Sequence, residues 1–358
     1  MNSTVQKSLL YILMPLFWLV LLVIFLYSPY AEQFLSRYHK SITIFVWSDI
    51  VDSTVIKNFE RETGIKVYVN YYEGNDELLT KLEFSDGAGY DIIMPTHYMI
   101  EPLRQRGFLK KIDKSKLNFW DQLDPHLLNL YYDPQNAYSI PYLWEFYGLG
   151  INNNFFTGKK IENSWQMLFD PAYTYRVGMT DEPREILNVA GFYLFGQLKQ
   201  FDELQLERIK NLLRKQKKFV DAYTDLNSDF LLTSKSAAVV FLPISSFYRA
   251  RQRVDWVNFL LPKEGSLMTI ENFAITAKSD KEDLAYIFIN YLFKDYAVKQ
   301  VCEYYGYLPT LKNLLYAMDF AGVPPIDYIF DSYFTKLSLV RLLFSRQQMS
   351  QIWLAVKA

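Results

Sequence analysis

Two short phrases put chemistry-bearing side chains directly after apolar runs: Trp47-Ser48-Asp49 and Thr96-His97-Tyr98. A ring beside a hydroxyl and a carboxylate suits an organic cation. The carboxylate replaces the hydration that an ammonium loses on burial, and each ring face adds about 0.5 to 2 kcal/mol by cation–π attraction. Further carboxylates stand at Glu182, Glu185 and Glu271. Taken singly, each of these residues has a plainer use. Asp181-Glu182-Pro183-Arg184-Glu185 is a sound helix start, with a cap, an acidic first turn and proline near the first position. Glu271 alone reads as a surface carboxylate, Trp47 as a core ring and His97 as a loop residue.

Enzymatic chemistry has less support. Glu182 and Glu185 lie three residues apart on one helix, whereas the carboxylates of a glycosidase face each other across substrate at about 5 to 9.5 Å. No nucleophile–base signature occurs. The single cysteine, Cys302, excludes an internal disulfide and a cysteine metal cluster. His39, His97 and His126 are scattered, with no metal-ligand spacing. No catalytic residue, cofactor or metal is expected.

The elements that must position these residues alternate in type. Ser41–Trp47 reads as a buried strand, and a helix capped by Asp52 or Ser53 runs through Val55, Ile56 and Phe59 to a stop at Gly64. Residues 65–71 alternate as a strand does, 76–84 form a helix and 90–94 a short strand. The second half continues with strands over 176–179, 237–242, 256–261 and 273–277. Its helices are expected after Asp181 and over 205–218, 283–293 and 334–356. Such alternation indicates βαβ units, hence an α/β fold with ligand contacts at the carboxyl ends of strands. Both phrases above occupy such ends.

With 358 residues, length suggests about two domains at roughly 150 residues each. Half the residues are apolar and the net charge is −1, which argues against a nucleic-acid binder. Between Lys7 and Glu32 there is no charge, and residues 9–27 are long enough to cross a bilayer. The exit, with Pro29 and Tyr30, suits a signal peptidase poorly, so residues 1–31 are read as a retained anchor rather than a cleaved signal.

Several phrases stand in a telling order: residues 45–49, 59–67, 89–96, 113–117, 140–144, 164–165, 181–185, 262–265 and 303–307. Together they resemble the periplasmic spermidine/putrescine-binding protein family over about residues 41–312. The resemblance implies a two-lobed periplasmic-binding-protein (type II) clamp with a ligand cleft between the lobes, preceded here by the N-terminal hydrophobic helix. One lobe would comprise 41–144 plus 270–310, the other 145–269 plus 311–358, with crossings near 144–147 and 269–271. It further implies a monomeric carrier in the periplasm, tethered to the inner membrane, that delivers a putrescine- or spermidine-like cation to an ABC permease. Carried over position by position, the ligand residues are Trp47, Ser48, Asp49, Thr96, Tyr98, Glu182, Glu185, Asp225, Glu271 and Tyr307. Three departures remove rings: Ile50 where a tyrosine is common, and Leu242 and Thr269 where tryptophans are usual. Another small solute as cargo, or a tethered sensor in place of a carrier, remains compatible with this reading.

Overall fold

The computed structural model describes Met14, residues 17–20, Leu22 and residues 40–357 apart from Asp49, Lys159 and 225–227. Strand β1 (Ser41–Trp47) leads into α1 (Ser53–Thr63), where the Asp52 carboxylate caps Thr54 and Val55 and Gly64 ends the helix at φ 68°. The chain continues through β2 (Lys66–Tyr72), α2 (Asn75–Phe84), β3 (Ile92–Ile93) and α3 (His97–Gln105). Both β2 and β3 run parallel to β1, as βαβ connections require.

Next come β4 (Ile140–Asn152), α4 (Gln166–Phe169), β5 (Val177–Met179), α5 (Pro183–Phe195), α6 (Glu203–Gln216) and β6 (Val220–Tyr223). After them follow α7 (Ser228–Thr233), β7 (Val239–Pro243), α8 (Ile244–Arg253), β8 (Val257–Leu260) and β9 (Ser266–Ile275). The chain closes with α9 (Glu282–Leu292), α10 (Asp295–Tyr305), β10 (Leu308–Pro309), α11 (Lys312–Ala317), α12 (Ile326–Tyr328), β11 (Leu337–Leu339) and α13 (Arg346–Lys357).

Two long strands organise everything else. β4 pairs antiparallel with β9 over Ile140 to Phe146, then with β7 and β8 over Tyr147 to Asn152. β9 in turn reaches β3, through Ile275 opposite Ile92. Pairing is therefore continuous in the order β2-β1-β3-β9-β4-β7-β5-β6, because β9 joins the β1–β3 side, β4 joins the β5–β8 side and the two pair with each other. Every residue of both strands is buried. Along β7, Val239 and Phe241 join the core beneath α5, α6 and α13, while Val240 and Leu242 join the core beneath α7 and α8.

Several expectations need correction. The strand over β4 was not anticipated, and β9 begins seven residues before the expected strand. The expected helix over 334–356 is a helical turn, then β11 paired parallel with β9, then α13. The apolar run at 9–27 lies largely outside the described residues. Met14, residues 17–20 and Leu22 are helical and exposed, and among the described residues no helix is long and apolar enough to cross a membrane.

Candidate ligand-binding cleft

A cleft of about 480 Å³ opens where β1, β4, β9, α3 and α5 converge. Trp47, Ser48, Thr96, Tyr98, Glu182, Glu185, Glu271 and Tyr307 all line it. Asp49 and Asp225 lie outside the described residues.

One group of these side chains is knit together at the ends of β1 and β3. Glu271, on β9, receives the Trp47 indole N–H at 3.0 Å and faces the Thr96 hydroxyl at 2.9 to 3.0 Å. The amide nitrogen of Asn75 donates to Thr96 Oγ1 at 2.8 Å and to the Tyr98 hydroxyl at 2.9 Å. Glu271 is thus buried rather than a surface carboxylate, because the turn into α3 and the crossing strand β9 converge on it.

A second group belongs to α5 and β4. Glu182 is the N-cap of α5, accepting from the Arg184 backbone N–H at 3.0 Å, so it caps the helix and lines the cleft at once. Glu185 accepts from the Tyr147 hydroxyl at 2.5 Å. Burial, then the negative charges of Glu185 and Glu145, push the Tyr147 hydroxyl well above its ordinary pKa. Phe241 stacks on Tyr147 with ring centroids 5.3 Å apart.

Tyr98 lines the cleft with its ring already engaged. The Arg184 guanidinium lies 4.8 Å over its ring and donates to its hydroxyl at 3.3 Å. Arg184 is itself almost fully buried and stands 3.6 Å from Asp76 of α2. The ring face that a ligand cation would use is held by a cation of the protein. His97 is also not a loop residue. It opens α3, fully buried, with Nε2 2.8 Å from the Val340 carbonyl and Nδ1 accepting the Ile270 N–H at 3.2 Å. Those contacts fix the neutral tautomer protonated at Nε2, and burial lowers its pKa to about 3.

The absent rings resolve unequally. Ile50 and Thr269 line the cleft, but Leu242 does not: strand alternation turns it into the core against Gly150, and its neighbour Phe241 faces the cleft instead. Sequence reasoning missed Glu73, Glu145, Tyr147, Arg184, Phe241 and Arg249, all lining residues. Glu145 left one signal, as the sole charge in the thirteen residues of β4. Five carboxylates and two guanidiniums border the cleft, an excess of three negative charges among the described lining residues.

The model of the bacterial extracellular solute-binding protein family matches residues 54–321. The chain belongs to that family. A spermidine/putrescine-binding periplasmic protein of Escherichia coli (strain K12) is 33% identical over 273 residues, covering 76% of this chain and 78% of the relative. A putrescine-binding periplasmic protein of the same organism is 29% identical, covering 76% and 78%. Among solved structures, a spermidine/putrescine ABC transporter substrate-binding protein from Streptococcus pneumoniae strain Canada MDR_19A has a TM-score of 0.75 at 24% identity, covering 89% of this chain and 98% of its own. A GABA receptor has a TM-score of 0.67 at 18% identity, covering 89% and 98%. These likenesses establish the two-lobed binding-protein fold, and the relatives so named are binding proteins rather than enzymes.

Proposed function

We propose that the chain is the substrate-binding protein of an ABC importer and carries a putrescine- or spermidine-like cation to a membrane permease. The observation that carries this reading is the excess of carboxylates around a partly aromatic cleft. An ammonium entering it exchanges water for Glu271, Glu185 and Glu145, while Trp47, Tyr147 and Phe241 offer apolar surface to its methylenes. Ser48, Thr96, Tyr307 and Glu182 complete the contacts we assign to the cargo. Asp49 and Asp225 belong to the same assignment by resemblance. Tyr98 acts through Arg184.

The lobes we assign are 41–144 with 270–310, and 145–269 with 311–358. The crossing strands β4 and β9 support this division, since they pair with each other while β9 also pairs with β3 of the first half and β4 with β7 of the second. Closure of the lobes around cargo presents a shape that a permease recognises, a hinge transition driven by the ligand's better fit to the closed state. The carrier works as a monomer in the periplasm. Residues 9–27 hold it at the inner membrane, a reading supported by the charge-free stretch between Lys7 and Glu32.

A thermal-shift screen of the full chain with putrescine, spermidine, neutral amino acids, GABA and thiamine tests the cargo. A ligand that binds only the folded state raises the apparent unfolding temperature. Stabilisation by the amines and not by the others is the expected result. Stabilisation by a neutral or zwitterionic solute alone would refute the polyamine reading and leave the clamp intact.

A further inference from the structure

Asp76 lies in the first turn of α2, directly after Asn75, which lines the cleft. An acidic first turn suits any helix N-terminus, and Glu77 serves that purpose beside it. The contacts of Asp76 point to a further use. Its Oδ2 is 3.6 Å from the Arg184 guanidinium of α5, and its Oδ1 accepts from Nε of Arg346, on α13, at 3.3 Å.

The two arginines are rooted in one apolar core and Asp76 in another. Leu78, Leu79 and Leu82 of α2 pack in the core that holds Ile44 of β1 and Ile92 of β3. Ile186 and Leu187 of α5 share a second core with Met349 and Ile352 of α13, and those two helices pack on each other. Asp76 therefore ties the two cores together at the rim of the cleft. A second tie runs the same way, with the Arg341 guanidinium 4.4 Å over the ring of Tyr131. The residue before Asp76 serves the cleft itself: Asn75 donates to Thr96, whose hydroxyl faces Glu271. Movement of α2 away from α5 and α13 would part Asp76 from both arginines at once. It would also uncover Arg184, which is buried in this arrangement. An ion pair with one buried member is screened less than a pair between two exposed side chains.

We propose that Asp76 is a positioning residue, a clasp whose ion pairs to Arg184 and Arg346 hold the two lobes closed over the cleft whatever the cargo. This rests on the division into moving lobes given above and not on the polyamine reading. The pairs form only once the lobes have met, so they slow the release of cargo and leave its capture nearly unchanged.

Spin labels on Phe84→Cys and Leu204→Cys, at exposed sites of α2 and α6, report the separation of the lobes in the full chain, and the buried Cys302 stays unlabelled. The label distance should shift to longer values in Asp76→Asn. Asp76→Glu keeps the charge and should restore the shorter distance. Arg346→Gln should give part of the shift and add little on top of Asp76→Asn, since the two residues share one contact. In calorimetry and stopped-flow mixing, the affinities for spermidine and putrescine should fall by the same factor in Asp76→Asn, about three- to tenfold, through faster release. If Asp76→Asn only lowered the unfolding midpoint, with distance and release unchanged while the parent closes on amine, the clasp would be refuted and the clamp kept. A label distance that is the same in the parent with and without amine, and in every variant, would mean that the lobes do not move, and the clamp reading would fall with the clasp. A parent that binds neither amine sinks the polyamine reading alone, and a longer distance in Asp76→Asn then still supports the clasp.

Discussion

Glu271 and Glu185 line the same cleft and are held by different means. Glu271 sits between an indole N–H, a threonine hydroxyl and, through that threonine, an asparagine of α2. Trp47 and Thr96 donate to it, and Asn75 holds Thr96, before any cargo arrives. Glu185 accepts from the phenol of Tyr147, whose other carboxylate neighbour, Glu145, raises the hydroxyl pKa alongside it. Arg184 adds a fixed cation near this second group, stacked on Tyr98. The first group is preorganised around one carboxylate. The second gathers two carboxylates around one phenol, where an entering cation is attracted by both.

The largest effect should come from breaking the buried histidine that braces β9 beside the first group. His97 links Ile270 of β9 to Val340, the residue after β11, and Val340 borders the cleft. His97→Ala leaves a buried carbonyl and a buried N–H without this partner, at about 1 to 3 kcal/mol each. Chemical denaturation at pH 7 should therefore lose about 2 to 6 kcal/mol relative to the parent. The pH dependence follows from the lowered pKa. The unfolded chain protonates this imidazole near 6.5 and the folded protein only near 3. Between those values the unfolded state binds more protons, so the contribution is fully present above about pH 6.5 and is lost as pH falls toward 3. His97→Ala should flatten the decline in stability between pH 6.5 and 4; an unchanged slope would place the acid sensitivity in other groups.

Next in size is Glu271→Gln. The amide keeps shape but turns a donor toward Trp47 Nε1 or Thr96 and removes the charge. Cargo affinity by calorimetry should fall by about 1.5 to 3 kcal/mol, with little change in the unfolding midpoint. Glu185→Gln should cost about half as much, because Glu145 remains beside Tyr147 to supply negative charge. Equal losses at the two positions would erase the distinction between a preorganised carboxylate and a shared one.

The same contrast explains what could be read from the sequence. The first βαβ units were legible because their cues are local: the Asp52 cap, Gly64 with its positive φ, and apolar runs ended by Pro95. Eight of the ten anticipated site residues were found lining one cleft, largely because strand ends carry them. β4 escaped because a strand buried on both faces has no alternation to detect. β11 escaped for a different reason. Its three residues gain strand geometry from pairing with β9 seventy residues earlier, a non-local cause hidden beneath a helix-like tail. Which face of β7 met the cleft also depended on register, and one residue decided between Leu242 and Phe241. Arg184 could be seen only as part of a helix start, since nothing in the chain order announces that it lies on Tyr98.

The smallest expected effect separates two rings that the sequence treated alike. Trp47 borders the cleft with its N–H committed to Glu271, whereas the face of Tyr98 is covered by Arg184. Trp47→Leu removes a ring available to cargo together with a donor to Glu271, and should weaken binding by about 0.5 to 2 kcal/mol. Tyr98→Phe keeps the ring under Arg184 and removes only a hydroxyl that accepts from Asn75 and Arg184. Those donors line the cleft and retain other acceptors, Thr96 for Asn75 and Asp76 for Arg184. Cargo affinity should then change by no more than about threefold, while the unfolding midpoint falls by a degree or more from the lost hydrogen bonds. If Tyr98→Phe instead weakened cargo as much as Trp47→Leu, the hydroxyl itself would be a cargo contact, and Arg184 would have to leave the ring when the clamp is loaded.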